Sequence, residues 1–170
     1  SLAAMPVGED DVALQFLPLA HSFGRLEHFV AVARGFLCAF ARSIDTLSVD
    51  LQSIRPTILF AVPRVYENAH RRVLNRVEGS SFTRQRCFRW ALSVGKRYND
   101  KIRTGRKCSP WLRLLHRVAD RLVLSKVRQG MGGRLRLAIS GGAPLPIPVA
   151  DFFQGLGVWI VEGYGLTETS

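Results

Sequence analysis

The stretch from Arg134 to Val161 constrains the fold most, because it reads as a strand, a glycine-rich turn, a short helix and a second strand in immediate succession. Arg134 to Ser140 alternates Leu135, Leu137 and Ile139 against Arg134, Arg136 and Ala138, which is the period of a strand. Gly141-Gly142-Ala143-Pro144-Leu145-Pro146 follows, then a helix to about Gly155, then the apolar, β-branched run Val158 to Val161. A β-α-β unit of this kind crosses over right-handed, so both strands run the same way and both exit loops leave one carboxyl edge of a parallel sheet. Open α/β sheets bind ligands at that edge.

The upstream half repeats the alternation. Gly35 to Ala41 reads as a buried strand, and Ile44 to Ile54 as a helix with Ile44, Leu47, Leu51 and Ile54 on one stripe. Arg55-Pro56 stops that helix. Thr57 to Val62 reads as a strand, and a helix from about Arg64 to Val77 is entered through Pro63. Nearer the start, Leu14 to Ala20 is apolar with one proline, His21 lies at a junction, and a helix is expected from about Leu26 to Ala33. The expected fold class is therefore α/β, a mostly parallel sheet flanked by helices.

Residues 79–131 interrupt this pattern with a basic helical pair. The first helix carries Trp90, Ala91, Val94, Tyr98 and Ile102 on one side. The second, from about Pro110 to Val127, is expected to turn Trp111, Leu115, Val118 and Leu122 inward, and the basic turn Thr104 to Ser109 joins the two.

The net charge of +11 is unevenly distributed. Between Arg64 and Arg136 lie 20 of the 24 Lys and Arg residues with only four acids, a net +16 that leaves −5 elsewhere. A solvated helical face accounts for such a patch, and so does attraction to a phosphorylated cofactor, anionic headgroups or nucleic acid. Nucleic acid is not the expected partner, because Trp90, Tyr98 and Trp111 fall on apolar stripes, whereas base stacking needs rings exposed beside basic groups.

A hydrophobic content of 47% with 22% charged residues excludes a disordered chain. The chain opens at Ser1 and stops inside a glycine-rich motif, which points to a piece of a larger protein. Cys38, Cys87 and Cys108 form no paired or metal-ligating spacing, as expected of reduced cytoplasmic thiols. The apolar stretch Phe29 to Ala41 is broken by Arg34 and too short to cross a bilayer, so membrane contact at the inner membrane would be peripheral and would use the basic segment.

The residues after Val161 have the composition of a nucleotide site. Gly141 and Gly142 lack β-carbons, so a flat ring can lie on their backbone. Glu162-Gly163-Tyr164-Gly165 offers an aromatic face opposite, Thr167 a neutral donor for a phosphate oxygen, and Glu168 a hard oxygen ligand for magnesium. His21 either borders a substrate pocket or satisfies backbone groups at a helix start.

Four segments together carry a resemblance to a known family: Leu17-Pro18-Leu19-Ala20-His21, Arg55-Pro56-Thr57 leading to Val62-Pro63-Arg64-Val65-Tyr66-Glu67, Ser140 to Leu145, and Glu162 to Thr169. They resemble the adenylate-forming enzymes and, within them, the bacterial long-chain fatty acyl-CoA synthetases. The resemblance implies part of the large domain of that fold, an AMP-binding (adenylation) domain over 1–170. It implies that Gly141, Gly142 and Ala143 hold adenine against Tyr164, that Thr167 contacts the α-phosphate, and that Glu168 holds Mg2+. It also implies an acyl tunnel near His21. The implied reaction joins a fatty acid to CoA through an acyl-adenylate made from ATP. Related ligases that load a carrier protein, or adenylate aryl or amino acids, are the alternative. The family's Pro-Lys-Gly phosphate loop, ribose-binding aspartate and catalytic lysine do not occur within the 170 residues, and Gly24 stands where the family often has an acid.

Overall fold

A computed structural model of the chain describes residues 7–163. Among them, five strands form one sheet: β1 (Val12–Gln15), β2 (Leu37–Phe40), β3 (Ile58–Ala61), β4 (Leu137–Gly141) and β5 (Trp159–Gly163). Their order is β2-β1-β3-β4-β5, and every neighbouring pair is parallel. The helices are α1 (Ser22–Arg34), α2 (Leu47–Ile54), α3 (Pro63–Glu78), α4 (Phe82–Arg103), α5 (Pro110–Ala119), α6 (Ser125–Gln129) and α7 (Ile147–Gly155). A π-helical turn at Asp120–Leu124 joins α5 to α6 into one continuous helix.

Central β3 is buried at all four positions because helices cover both faces of the sheet. Ile58 and Phe60 pack with Phe23 and Ala31 of α1 on one face. Leu59 and Ala61 pack on the other with Leu47, Leu51, Tyr66, Ala91, Phe152 and Phe153 from α2, α3, α4 and α7. Full burial of a side chain such as Phe60 or Phe153 stabilises the fold by about 1.5–3 kcal/mol. Tyr66, also buried, sets its hydroxyl between the carbonyl oxygens of Leu59 and Ile139, at 2.8 and 3.1 Å, and so ties β3 to β4.

The amino edge of the sheet is cinched by one carboxylate. Asp11 accepts hydrogen bonds from Thr57 Oγ1 at 2.6 Å, Arg136 Nε at 3.1 Å and Gly8 N at 3.1 Å, which joins the starts of β1, β3 and β4. Burial pushes the Asp11 pKa up, and the bonds from Arg136, Thr57 and Gly8 together outweigh it, leaving the pKa below the ordinary value.

Several elements differ from the sequence expectation. β1 spans Val12–Gln15, whereas only an apolar stretch from Leu14 onward is legible. β2 is an edge strand with Leu37 and Phe40 exposed, and not a buried one. α1 starts at Ser22, four residues before the apolar periodicity sets in, because His21 caps it: its Nδ1 accepts from Phe23 N at 3.2 Å. α2 starts at Leu47, with Leu47 and Leu51 buried but Ile44 and Ile54 exposed. On α4, Ala91 and Val94 are buried, while Trp90 and Ile102 reach solvent.

The largest departure lies in α5 and α6. Trp111, Val118 and Leu122 face outward, and the inward side is formed by Leu112, Leu115, Ala119 and Leu124. Apolar residues therefore occupy two adjacent strips. The π turn adds one residue to the coil and brings Leu124 back to the buried side. The expectation that Trp90 and Trp111 lie on inward stripes, on which the case against nucleic acid rested, does not hold.

α4 is pressed onto α7. A β-carbon at Gly95 would lie 2.1 Å from the Gly155 carbonyl oxygen, so only glycine permits this crossing. Asn99 Nδ2 donates to Gln154 O at 2.8 Å, Gln154 Nε2 donates to Asp100 Oδ1, and Lys96 pairs with Asp151 at 2.7 Å.

Candidate functional site

The two glycine turns meet at the carboxyl edge. β4 and β5 are in register with Ser140 opposite Glu162 and Gly141 opposite Gly163, so the segments after residues 141 and 163 leave neighbouring strand ends on the same side. Gly142 has φ +87°, a conformation that strains any residue with a β-carbon. Gly142, Ala143, Glu162 and Gly163 are exposed, and together they offer an open backbone surface.

Phe23 forms the floor beneath both turns. A β-carbon on Gly141 would lie 2.7–3.0 Å from three atoms of the Phe23 ring, and one on Gly163 would lie 3.8 Å from the same ring. Phe23 leans in turn on Phe60, with ring centroids 6.0 Å apart. Sequence reasoning missed Phe23, although the signal was present in an aromatic residue two positions after His21. His21 itself is exposed at the start of α1, which follows β1 at this same carboxyl edge. The α1, α3 and α7 amino termini all follow strand ends at this edge, and their free N–H groups favour an anionic ligand there.

Two polar side chains, one on β4 and one on α1, are buried. Ser140 is 1% exposed, and its hydroxyl has no hydrogen-bond partner among the described residues. Glu27 of α1 is fully buried, and neither carboxyl oxygen has a partner. Burial pushes its pKa up to about 8. The neighbouring Cys38 thiol donates to Gln15 Oε1 at 3.2 Å, and Gln15 Nε2 donates to the Gly24 carbonyl at 3.3 Å. The Cys38 thiol is pushed up to about 11, first by burial and then by the charge of Glu27.

Tyr164, Gly165, Thr167 and Glu168 lie outside the described residues. Among the described residues, no group of three or more His, Cys, Asp or Glu is arranged to hold a metal, and no helix is long and apolar enough to cross a membrane. A cleft of about 420 Å³ lies away from the glycine turns, along the start of β5, between Asn99 and Ile102 of α4, Gln154 of α7 and Trp159.

An open, all-parallel sheet with glycine turns on its carboxyl edge defines an α/β ligand-binding domain. Residues 1–170 match the family model described as AMP-binding enzyme, and the chain belongs to that family. It is 35% identical over 163 residues to long-chain-fatty-acid–CoA ligase 5 of Rattus norvegicus, a match that covers 94% of this chain and 22% of the relative. It is 37% identical over 159 residues to long-chain-fatty-acid–CoA ligase FadD15 of Mycobacterium bovis, with 92% and 26% covered. The chain thus spans about a quarter of the length of these relatives. Among solved structures, it matches the A domain of carboxylic acid reductase from Segniliparus rugosus, determined in complex with AMP and a co-purified carboxylic acid. That match has TM-score 0.54 and 25% identity, and covers 92% of this chain and 21% of the other. The N-terminal domain of FACL13 from Mycobacterium tuberculosis shares the fold, with TM-score 0.55 at 20% identity, 98% of this chain and 30% of the other being covered.

Proposed function

We propose that the chain is part of an ATP-dependent long-chain fatty acid–CoA ligase and forms the adenine-binding edge of its adenylation domain. The observation that carries this is the register of Gly141 with Gly163 over Phe23, in a chain of the AMP-binding enzyme family. In this proposal Gly141, Gly142 and Ala143 lie against one face of adenine, and Glu162, Gly163, Tyr164 and Gly165 bring the Tyr164 ring to the other. Thr167 donates to the α-phosphate. Glu168 holds Mg2+, which supplies charge neutralisation at the phosphates when bound.

A carboxylate oxygen of the fatty acid attacks the α-phosphorus of ATP. The new P–O bond forms as the bond to the bridging oxygen breaks, and pyrophosphate leaves. The CoA thiol then attacks the acyl carbonyl and AMP leaves. The task of the protein is to hold two anions in line, with helix amino termini and Thr167 offsetting the charge. His21, at the start of α1, borders the acyl path. The cellular setting is cytoplasmic, and the basic segment 79–131 makes peripheral contact with the membrane.

The test is Glu168→Gln in the full-length protein. Exchange of pyrophosphate into ATP, driven by a fatty acid, should fall by roughly a hundredfold or more. Near-parental exchange would refute the role of Glu168. The match to the A-PCP didomain of the same carboxylic acid reductase favours a second reading, in which the acyl group passes to a carrier protein. Failure to form a thioester with free CoA, despite normal adenylate formation, would select it.

A further inference from the structure

The continuous helix over 110–129 is the outer layer of the basic helical pair, and its outer side is not polar. Trp111, Leu114, Val118 and Leu122 are 66%, 46%, 42% and 52% exposed. Their spacing of three, four and four residues sets them in one stripe along the helix. Beside it, Arg113, Arg117 and Arg121, four residues apart and all exposed, form a parallel row. None of these three arginines has an ion-pair partner among the described residues. Arg106 and Lys107, also exposed, extend the positive charge into the preceding turn.

We propose that this face is an interfacial helix that lies in the headgroup layer of an anionic bilayer. Trp111, Leu114, Val118 and Leu122 enter the acyl boundary, and Arg113, Arg117 and Arg121 contact lipid phosphates. The assignment rests on the peripheral membrane contact proposed above and names the surface that makes it. A large apolar stripe bordered by cations is what an in-plane membrane helix requires, with tryptophan suited to the interface. Each arginine adds attraction to an anionic leaflet. A nucleic-acid surface would instead interleave aromatic rings with the basic groups, and the aliphatic Leu114, Val118 and Leu122 would have no use against phosphates. A docked acidic protein, or cover from the rest of a longer polypeptide, are the other occupants, and the experiment separates them.

The full-length protein is sedimented with vesicles of phosphatidylcholine and phosphatidylglycerol, and with phosphatidylcholine alone. Val118→Ser combined with Leu122→Ser should weaken partitioning to the anionic vesicles by roughly tenfold or more. Replacing Arg113, Arg117 and Arg121 with Gln should weaken it by roughly a hundredfold at low salt. Trp111 fluorescence should be quenched by brominated lipid. Parental binding by the serine variant, or an unquenched Trp111, overturns the proposal. So does dependence on the arginines alone, which marks simple adsorption of polyanions or an acidic partner. A serine variant that melts well below the parent without vesicles also overturns it, because the stripe is then covered by polypeptide. Acyl-adenylate formation from a short, water-soluble carboxylate without vesicles stays parental in every variant. If the parent makes no adenylate, the ligase proposal fails while the vesicle result still stands on its own.

Discussion

Replacing Glu27 with Gln removes an ionisation that α1 otherwise carries into the core. The carboxyl is fully buried without a hydrogen-bond partner among the described residues, and burial raises its pKa from an ordinary 4.5 to about 8. An acid with a raised folded-state pKa is harmless while both states are protonated. Stability is lost as pH climbs from the unfolded value through the folded one. With each pKa unit worth about 1.4 kcal/mol, the α1 region loses roughly 3 to 4 kcal/mol between pH 5 and 8. The groups coupled to Glu27 do not blur this window, because the Cys38 thiol is pushed up to about 11 and the buried Tyr66 hydroxyl is raised as well, both first by burial and then by the Glu27 charge. Hydrogen exchange of α1 amides reads the local opening energy without requiring the whole protein to unfold at once. After correction for intrinsic rates, protection in the parent should fall a few hundredfold more than in Glu27→Gln across that range. Equal pH slopes in the two proteins would refute the reasoning.

Gly141→Ala drives a β-carbon into the Phe23 ring, so kcat/KM for ATP should fall roughly tenfold to a hundredfold, with partial recovery in the double variant with Phe23→Leu. Independent losses in that double-mutant cycle would remove Phe23 from the floor of the site. Gly95→Ala meets the Gly155 carbonyl and should destabilise the α4–α7 crossing by about 2–3 kcal/mol, read as a lower Tm; an unchanged Tm would show that the helices separate freely. His21→Ala should cost about 1 kcal/mol through loss of the cap on Phe23 N, and His21→Asn should restore it. A defect in acyl-chain use that persists in the asparagine variant marks a substrate contact, whereas full rescue confines His21 to capping.

What the sequence revealed, and what it hid, follows from how local each signal is. β3 and the start of β5 are short apolar runs, β4 shows the alternation of a strand, and the convergence of Gly141 and Gly163 follows from one right-handed crossover. β1 was obscured because its four residues follow two aspartates and join an apolar stretch that is really the exit loop. The exposure of β2 depends on its place at the sheet edge, which no local pattern encodes. Periodicity gave the helix over 110–129 an apolar side but could not distinguish two adjacent strips, and the π turn that returns Leu124 to the buried strip has no sequence mark. Nothing in the sequence around Glu27 marks it, since only the packing of α1 reveals its burial. The aromatic, phosphate and metal positions Tyr164, Thr167 and Glu168 were named from residue type and lie outside the described residues.

The π turn at Asp120–Leu124 lets the helix over 110–129 carry one residue more than an ordinary coil without losing its buried side. Regularising these five residues into an ordinary coil with none removed would swing everything downstream by about 100°. Leu124 and Val127 would then leave the sheet-facing core, and Arg128 would lose both its reach to the Leu156 carbonyl and its Asp120 partner. Loss of one residue within the turn would instead close it to the ordinary coil and leave Leu124 and Val127 in phase with the core, so the extra residue and the wide turn compensate each other.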